Sequence, residues 1–582
     1  MRKMVRGFKF LVLAVLMVLL PATVSSQTNA EIEITGLESE LLEQATANIT
    51  VASELAAATT SRSRDRRLRQ VMAQIDNALK ANGYYSATIT PHVEEESGQQ
   101  RYRFEVDKGD PVIIDSVQLE ITGDGAGFDA FQDWCSAFPL QSGDILVDKH
   151  YEDAITELQR TARRFGFFNS HISTREIRIN RSAQQAEIHI TFETGVRYRY
   201  SEIRLVNDYF DEDFLQRFFD IEVGQFFNND DLQTLHQRYA ASGYFSSIRV
   251  SPVLDEREGD KIPISIELQK RKRDRYFAGL GYSTNLGVHG KLGMERRFVN
   301  QRGHSFDSLL YYSELRRLAQ FSYIIPLSRP YAEELILSYQ YSDRRDEDLQ
   351  SRVNGIDASR VWKHGLNDWQ YGLRLFTVDN ELDNEFSEAN FLTPTVGWGY
   401  ARADSILFPR HAWQLGINLT GASQSIASTE SFLQAQLNAT LILPLFERDR
   451  LLLRSRLGRT LIDDFSVLPK QLRFYAGGDN TVRGYEFESL APYNENGSLV
   501  GGDSLVFGSV EYEHYFTPII GAAVFWDTGT AFFADEALQL AHGAGVGLHL
   551  NLPFGVFRFD VANAVSKPDR PWRLHVTLRA DL

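Results

Sequence analysis

From about residue 275 onward, hydrophobic and polar positions alternate one by one in short segments divided by polar turns. Trp413, Leu415, Ile417 and Leu419 alternate with Gln414, Gly416, Asn418 and Thr420; Leu433, Ala435, Leu437, Ala439 and Leu441 alternate with Gln434, Gln436, Asn438 and Thr440. The same phase runs through Leu335, Leu337, Tyr339 and Tyr341, through Ala544, Val546, Leu548, Leu550 and Leu552, and through Trp572, Leu574, Val576 and Leu578. A period of two belongs to a strand whose faces meet different surroundings. Apolar outward and polar inward is the pattern of a strand between lipid and a watery lumen. At roughly 18 to 20 residues per strand and connection the segment holds about sixteen strands, an even number as bacterial outer-membrane barrels have. A soluble sandwich would alternate too, but the strand number and the aromatics near strand ends, where headgroup girdles lie, point to a barrel.

Before this segment the period changes. Helix-period stretches, Leu68 to Ala81, Tyr151 to Phe165 and Asp230 to Ala241, each lead to a glycine, two aromatics and a small polar residue. These are Gly83-Tyr84-Tyr85-Ser86, Gly166-Phe167-Phe168-Asn169 and Gly243-Tyr244-Phe245-Ser246. A recurrence of about 80 residues marks a small repeated domain rather than a solenoid turn, and the glycine fits a helix C-cap. Strand alternation follows, as in Ile262, Ile264, Ile266 and Leu268. Val106-Asp107-Lys108-Gly109 runs into Val112, and Phe192-Glu193-Thr194-Gly195 into Tyr198, so one unit's last strand leads into the next unit's first. Each unit predicts strand, helix, helix, strand, strand in an α+β layer, over residues 27–108, 109–194 and 195–270, with the barrel over 271–582. The exposed edge of such a sheet can take an extended peptide as an added strand, which makes the array a candidate docking platform.

Charge and composition narrow the classes further. Asp and Glu number 77 against 61 Lys and Arg, a net charge of −16 that disfavours nucleic acid as a partner. The single cysteine, Cys135, excludes an internal disulfide and a cysteine-rich metal cluster, and the 13 histidines show no compact pair spacing suited to a metal, so neither cofactor nor metal is predicted. Residues 1–26 read as a secretory signal: Arg2, Lys3, Arg6 and Lys9 precede the apolar run Phe10 to Leu20, then Pro21 and small residues lead to a cut ahead of Gln27. No later stretch is long and apolar enough for a spanning helix, so membrane residence requires a barrel. The basic run Lys270-Arg271-Lys272-Arg273 with Arg275 reads as a solvated linker, with contact to anionic headgroups of outer-membrane lipid at the inner leaflet as the alternative.

One long polar stretch interrupts the strands and contains Gly477-Gly478-Asp479-Asn480-Thr481-Val482-Arg483-Gly484-Tyr485. Further on, Phe525, Asp527 and Gly529 share one face of a strand and Val524, Trp526 and Thr528 the other. A carboxylate facing lipid is costly, so Asp527 should face the lumen and take Arg483 as a bidentate partner, with Glu511, in phase with Ser509, as a second acceptor. Val482-Arg483-Gly484-Tyr485 followed by Phe525-Trp526-Asp527-Thr528-Gly529 resembles the signature of the Omp85 superfamily, in which a loop tucks inside the barrel against an F-x-D-x-G strand. The three N-terminal units resemble its POTRA domain, and their number with a barrel of this length is similar to the TamA branch, the translocation and assembly module.

The resemblance implies an assembly factor in the bacterial outer membrane with its N-terminal domains in the periplasm. It implies insertion of β-barrel clients such as autotransporters, with unfolded outer-membrane protein clients and a TamB-like inner-membrane-anchored periplasmic protein as partners. A two-partner-type secretion porter, passing polypeptide through the lumen, is the alternative. The first strand, Tyr276 to Thr284, carries Gly279 and Gly281, and glycine weakens strand packing. Parting from the last strand, Trp572 to Leu582, would bare an edge for a client; Tyr276, Gly279, Gly281, Tyr282, Trp572 and Val576 are the candidate seam residues. Gly502-Asp503-Ser504-Leu505 has the letters of a GDSL esterase block but opens a late barrel strand, and no HExxH, GxSxG or phosphate-loop pattern is present; no enzyme and no catalytic residue are predicted.

Overall fold

A computed structural model describes residues 31–51, 60–96, 99–283, 287–345, 349–405, 407–553 and 555–579. The expected secretory signal, Thr284 and the last three residues lie outside the described residues. The chain divides into two compact units. One comprises the residues up to Glu202 with Glu222–Asp230 and Leu254–Pro263; the other comprises Ile203–Ile221, Asp231–Val253 and the chain from Ile264 onward.

Three small sheets follow one another along the N-terminal half, each of three strands with the unit's last strand in the middle. In the first, Gln99–Asp107 lies parallel to Glu31–Thr35 and antiparallel to Thr88–Glu96. In the second, Gln185–Glu193 stands likewise between Ile113–Thr122 and His171–Asn180. Two helices cover each sheet; the longer ones are Ser61–Ala81, Asp148–Arg164 and Asn229–Ala241. The first starts seven residues before the hydrophobic period does, because Thr60 and Ser63 form a reciprocal capping box there.

The glycines of the repeated motif do more than cap. Gly83 and Gly166 sit at φ +91° and +85°, where a side chain is strained. A Cβ on Gly83 would meet Leu146 O at 2.8 Å, and one on Gly166 would meet Phe227 Cβ at 2.8 Å. Their carbonyls accept from Val112 N (2.8 Å) and Tyr198 N (3.0 Å), the residues that open the next domain. Helix termination and domain junction therefore use the same residue.

From Asp274 to Arg579 the chain forms one sixteen-stranded antiparallel sheet in strict sequence order, the barrel expected from the alternation. Its order begins with Asp274–Ser283 and ends with Trp572–Arg579. Strand length is unequal around it. The end strands have 10 and 8 residues, whereas Leu349–His364, Asn367–Leu382 and Glu385–Ala403 have 16, 16 and 19. Trp413, Leu433, Val546 and Trp572 are exposed, while Gln434, Thr460, Glu511 and Asp527 on the opposite faces are buried. That is apolar outward and polar inward, as lipid requires. Within the second unit, Tyr244 donates its hydroxyl to Gly303 O at 2.6 Å and Arg217 donates to Leu327 O at 3.0 Å, so the third domain holds two barrel turns.

Candidate functional site

The long connection between the strands Asp449–Ile462 and Ser504–Tyr515 lines the inner wall of the sheet. Leu468 packs with Phe391 and Phe432, and Val482 and Tyr485 pack with Phe507, Ala541 and Ala564. At the centre of this connection Arg483 is only 2% exposed. Its Nε donates to Asp527 Oδ2 at 2.7 Å and its Nη2 to Asp527 Oδ1 at 2.9 Å, a bidentate fork. The Arg483 backbone N–H adds a third bond to Oδ2 at 3.1 Å, and Ser509 donates its hydroxyl to Oδ1 at 2.7 Å. Nη1 meets Glu511 Oε2 at 2.7 Å and Asp560 Oδ2 at 3.0 Å. The guanidinium carbon also lies 3.4 Å from the centroid of the Phe525 ring. Of the predicted residues, Asp527, Glu511 and Phe525 thus surround one cation, while Gly529 lies against the neighbouring strand, where a Cβ would meet Val506 O at 2.6 Å.

Several partners were missed at the level of sequence. Arg558 donates to Glu511 Oε1 at 2.8 Å, Arg454 to Glu511 Oε2 at 3.1 Å, and Arg450 to Glu513 Oε2 at 2.5 Å. His549 bridges Glu513 Oε1 and Asp560 Oδ1, at 2.9 Å each. Among the described residues the network sets Arg450, Arg454, Arg483 and Arg558 against Glu511, Glu513, Asp527 and Asp560, so its formal charges balance without His549. Buried charge is tolerable only when paired in this way. The available signal was phase: Arg558 and Asp560 are two apart in a spanning strand, so both must face inward.

Glu511, Glu513 and His549 bring metal-ligand atoms within 4.8 Å of one another, a grouping that histidine spacing did not reveal. Arginine already engages both glutamates, and His549 is spent between two carboxylates. The donor set fits an ion network better than a metal centre.

Small residues on the facing wall admit the loop. A Cβ on Gly543 would overlap the carbonyl oxygen of Arg483. Gly484, at φ +96°, lies so close to the strand Gly555–Ala564 that a Cβ would stand 2.8 Å from Asn563 C. Its N–H donates to His575 Nε2 at 2.9 Å. That nitrogen therefore accepts, the hydrogen of the ring sits on Nδ1, and it points to Asp479 Oδ1 at 2.5 Å. His575 belongs to the last strand, so the motif loop is fastened to one edge of the sheet. Tyr485 donates its hydroxyl to His542 O at 3.3 Å.

The other candidates lie apart from this network. Tyr276 and Trp572 are exposed on the outward faces of the end strands, and Val576 shares the phase of exposed Leu574 and Leu578. Gly279 and Gly281 stand opposite Lys291 and His289, and Tyr282 opposite Val288. Ser504 of the GDSL letters shares Asp503 Oδ1 with Arg459, a turn contact. In the basic run, Lys270 pairs with Asp208 at 2.9 Å and Arg275 with Glu295 at 3.3 Å, and Arg271 donates to Phe245 O at 2.7 Å.

Comparison with known proteins agrees with this geometry. The Omp85 superfamily domain matches residues 265–573. The first domain of TamA-type POTRA arrays matches residues 31–108, and a POTRA family described as a surface antigen variable number repeat matches 198–271. The outer membrane protein assembly factor BamA of Nitratidesulfovibrio vulgaris is 23% identical over 452 residues, 72% of this chain and 54% of that protein. BamA of Neisseria meningitidis serogroup B is 34% identical over 152 residues, 24% of this chain and 18% of its own. The chain thus spans about half the length of the first of these relatives and less of the second. Among solved structures, BamA from Haemophilus ducreyi lacking POTRA domains 1–3 superposes with a TM-score of 0.67 at 16% identity, over 79% of this chain and 98% of that one, a likeness of fold.

Proposed function

Because the chain belongs to the Omp85 superfamily, we propose that it is an outer-membrane assembly factor that inserts β-barrel clients, autotransporters among them, at the seam between its first and last barrel strands. The observation that carries this reading is the pair of open ends of the sheet. Among the described residues the sheet opens at Asp274–Ser283 and closes at Trp572–Arg579, and no ladder joins these two strands, so each is held from one side alone. An edge paired on one side presents unpaired N–H and C=O groups to an incoming strand. The loop fastened through His575 braces the last strand from inside while its outer face stays available.

The N-terminal domains extend into the periplasm and receive unfolded clients, and a TamB-like inner-membrane-anchored protein is the partner. The match of residues 31–108 to a TamA-type first domain supports that choice over a BamA-type one. The protein works by strand exchange and carries out no catalytic step. A proline at Leu280 removes a backbone N–H from the first strand, opposite Gly290. The variant is expected to migrate as a folded, heat-modifiable barrel yet to leave a pulse-labelled autotransporter in the periplasm. Normal client assembly by that folded variant would contradict the reading.

A further inference from the structure

The first domain carries a feature that the assembly reading leaves unused. On a chain of net charge −16, the opening turns of the Ser61–Ala81 helix hold five arginines in eight residues, Arg62, Arg64, Arg66, Arg67 and Arg69, against one carboxylate, Asp65. At 100° per residue, Arg62, Arg66 and Arg69 fall on one face, and all three are exposed. The opposite face, Val71, Ile75, Ala78 and Leu79, is buried in the domain's own core. Among the described residues no hydrogen bond or ion pair engages Arg62, Arg66 or Arg69, whereas Arg67 donates to Gln70 at 2.8 Å.

Local stability does not account for this placement. The helix macrodipole favours anions at the N-terminus, yet the first turn contains no acidic residue and the cations stand there instead. Arg62 and Arg66 are like charges four apart, and Arg66 and Arg69 three apart, spacings that repel. The ridge is about 10 Å long, one guanidinium per turn. Beyond it the same face continues with Ala73 and Asn77, so no large apolar side chain is offered for insertion into a bilayer. Planar guanidinium forks spaced in this way match carboxylates.

We propose that Arg62, Arg66 and Arg69 form a docking ridge for an acidic polypeptide segment of a partner protein. The proposal extends the assembly reading and rests on it only for the compartment in which the partner is met. A fluorescein-labelled peptide of alternating Glu and Ala, titrated against the purified full chain in detergent, tests it without any client. Binding should weaken steeply with salt, and the triple variant R62Q/R66Q/R69Q should lose roughly tenfold or more in affinity. R178Q on the second domain, where Arg178 pairs with Glu176, should bind as the parent does. The melting temperature of the triple variant should stay level or rise, since it relieves the helix N-terminus. Unchanged peptide affinity in the triple variant would overturn the proposal. So would ridge-dependent binding to phosphatidylglycerol vesicles with none to the peptide.

Discussion

Arg483 is held by two oxygens of Asp527, one each of Glu511 and Asp560, and the face of Phe525, and each contact uses a different property of its side chain. Charge alone does not substitute for that set. R483K keeps the cation but loses the fork and the ring stacking, so the motif loop should become accessible to protease. D527N leaves a buried guanidinium short of its main counter-charge. It should cost about 3 to 5 kcal/mol, read as a fall in the temperature at which the heat-modifiable band converts. Close approach gives a sharper test. Gly543→Ala drives a methyl group into the Arg483 carbonyl and should cost about 1 to 3 kcal/mol. Gly416→Ala meets no atom within 4 Å and should leave that temperature unchanged. Arg483, Asp527 and Glu511 were legible in the sequence because a motif and a phase both pointed to them. Glu513, Asp560 and Arg558 were not, because a lone polar residue on an inward face looks like any other wetted position until the fold sets it beside a charge. His575 was hidden for the same reason, since its partner Gly484 lies 91 residues away.

At the scale of elements, the repeated glycine motif behaves as a joint. Sequence periodicity predicted the helices and their caps, but the second role of Gly83 and Gly166 depends on which domain follows, and no local pattern encodes that. The joint between the first and second domains carries a titratable group. Burial, and then the Asp148 carboxylate, push the Tyr85 hydroxyl up to about 12 from its ordinary 10. A raised folded value means the contribution of Tyr85 is intact below pH 10 and is lost as pH climbs from 10 toward 12. Parent and Y85F should therefore melt with a constant difference up to pH 10, and the parent should then lose stability relative to Y85F. Parallel curves through pH 11.5 would remove Tyr85 from the joint. The brace on the last strand is open to a similar test. H575A deletes the acceptor of the Gly484 N–H, and hydrogen exchange should quicken in Trp572–Arg579 more than in Leu349–His364.

Across the whole molecule, segment length pointed to about sixteen strands and alternation to their lipid-facing sides, because lipid penalises every inward–outward error. Alternation could not reveal that, among the described residues, Asp274–Ser283 and Trp572–Arg579 are each paired on one side alone, since pairing across the seam depends on how the sheet closes rather than on which face is apolar. Those two open edges are the basis of the proposed assembly mechanism. Lateral exchange and passage through the lumen make opposite demands on where a client touches the protein. Photo-crosslinkers placed one at a time at Leu280 on the first strand, Val576 on the last, and Asn438 on the inner wall, with an arrested autotransporter barrel trapped in cells, separate the two. Lateral exchange predicts client adducts at Leu280 and Val576 and none at Asn438. Adducts at Asn438 with none at the two end strands would contradict it and make the protein a porter that threads polypeptide through its lumen.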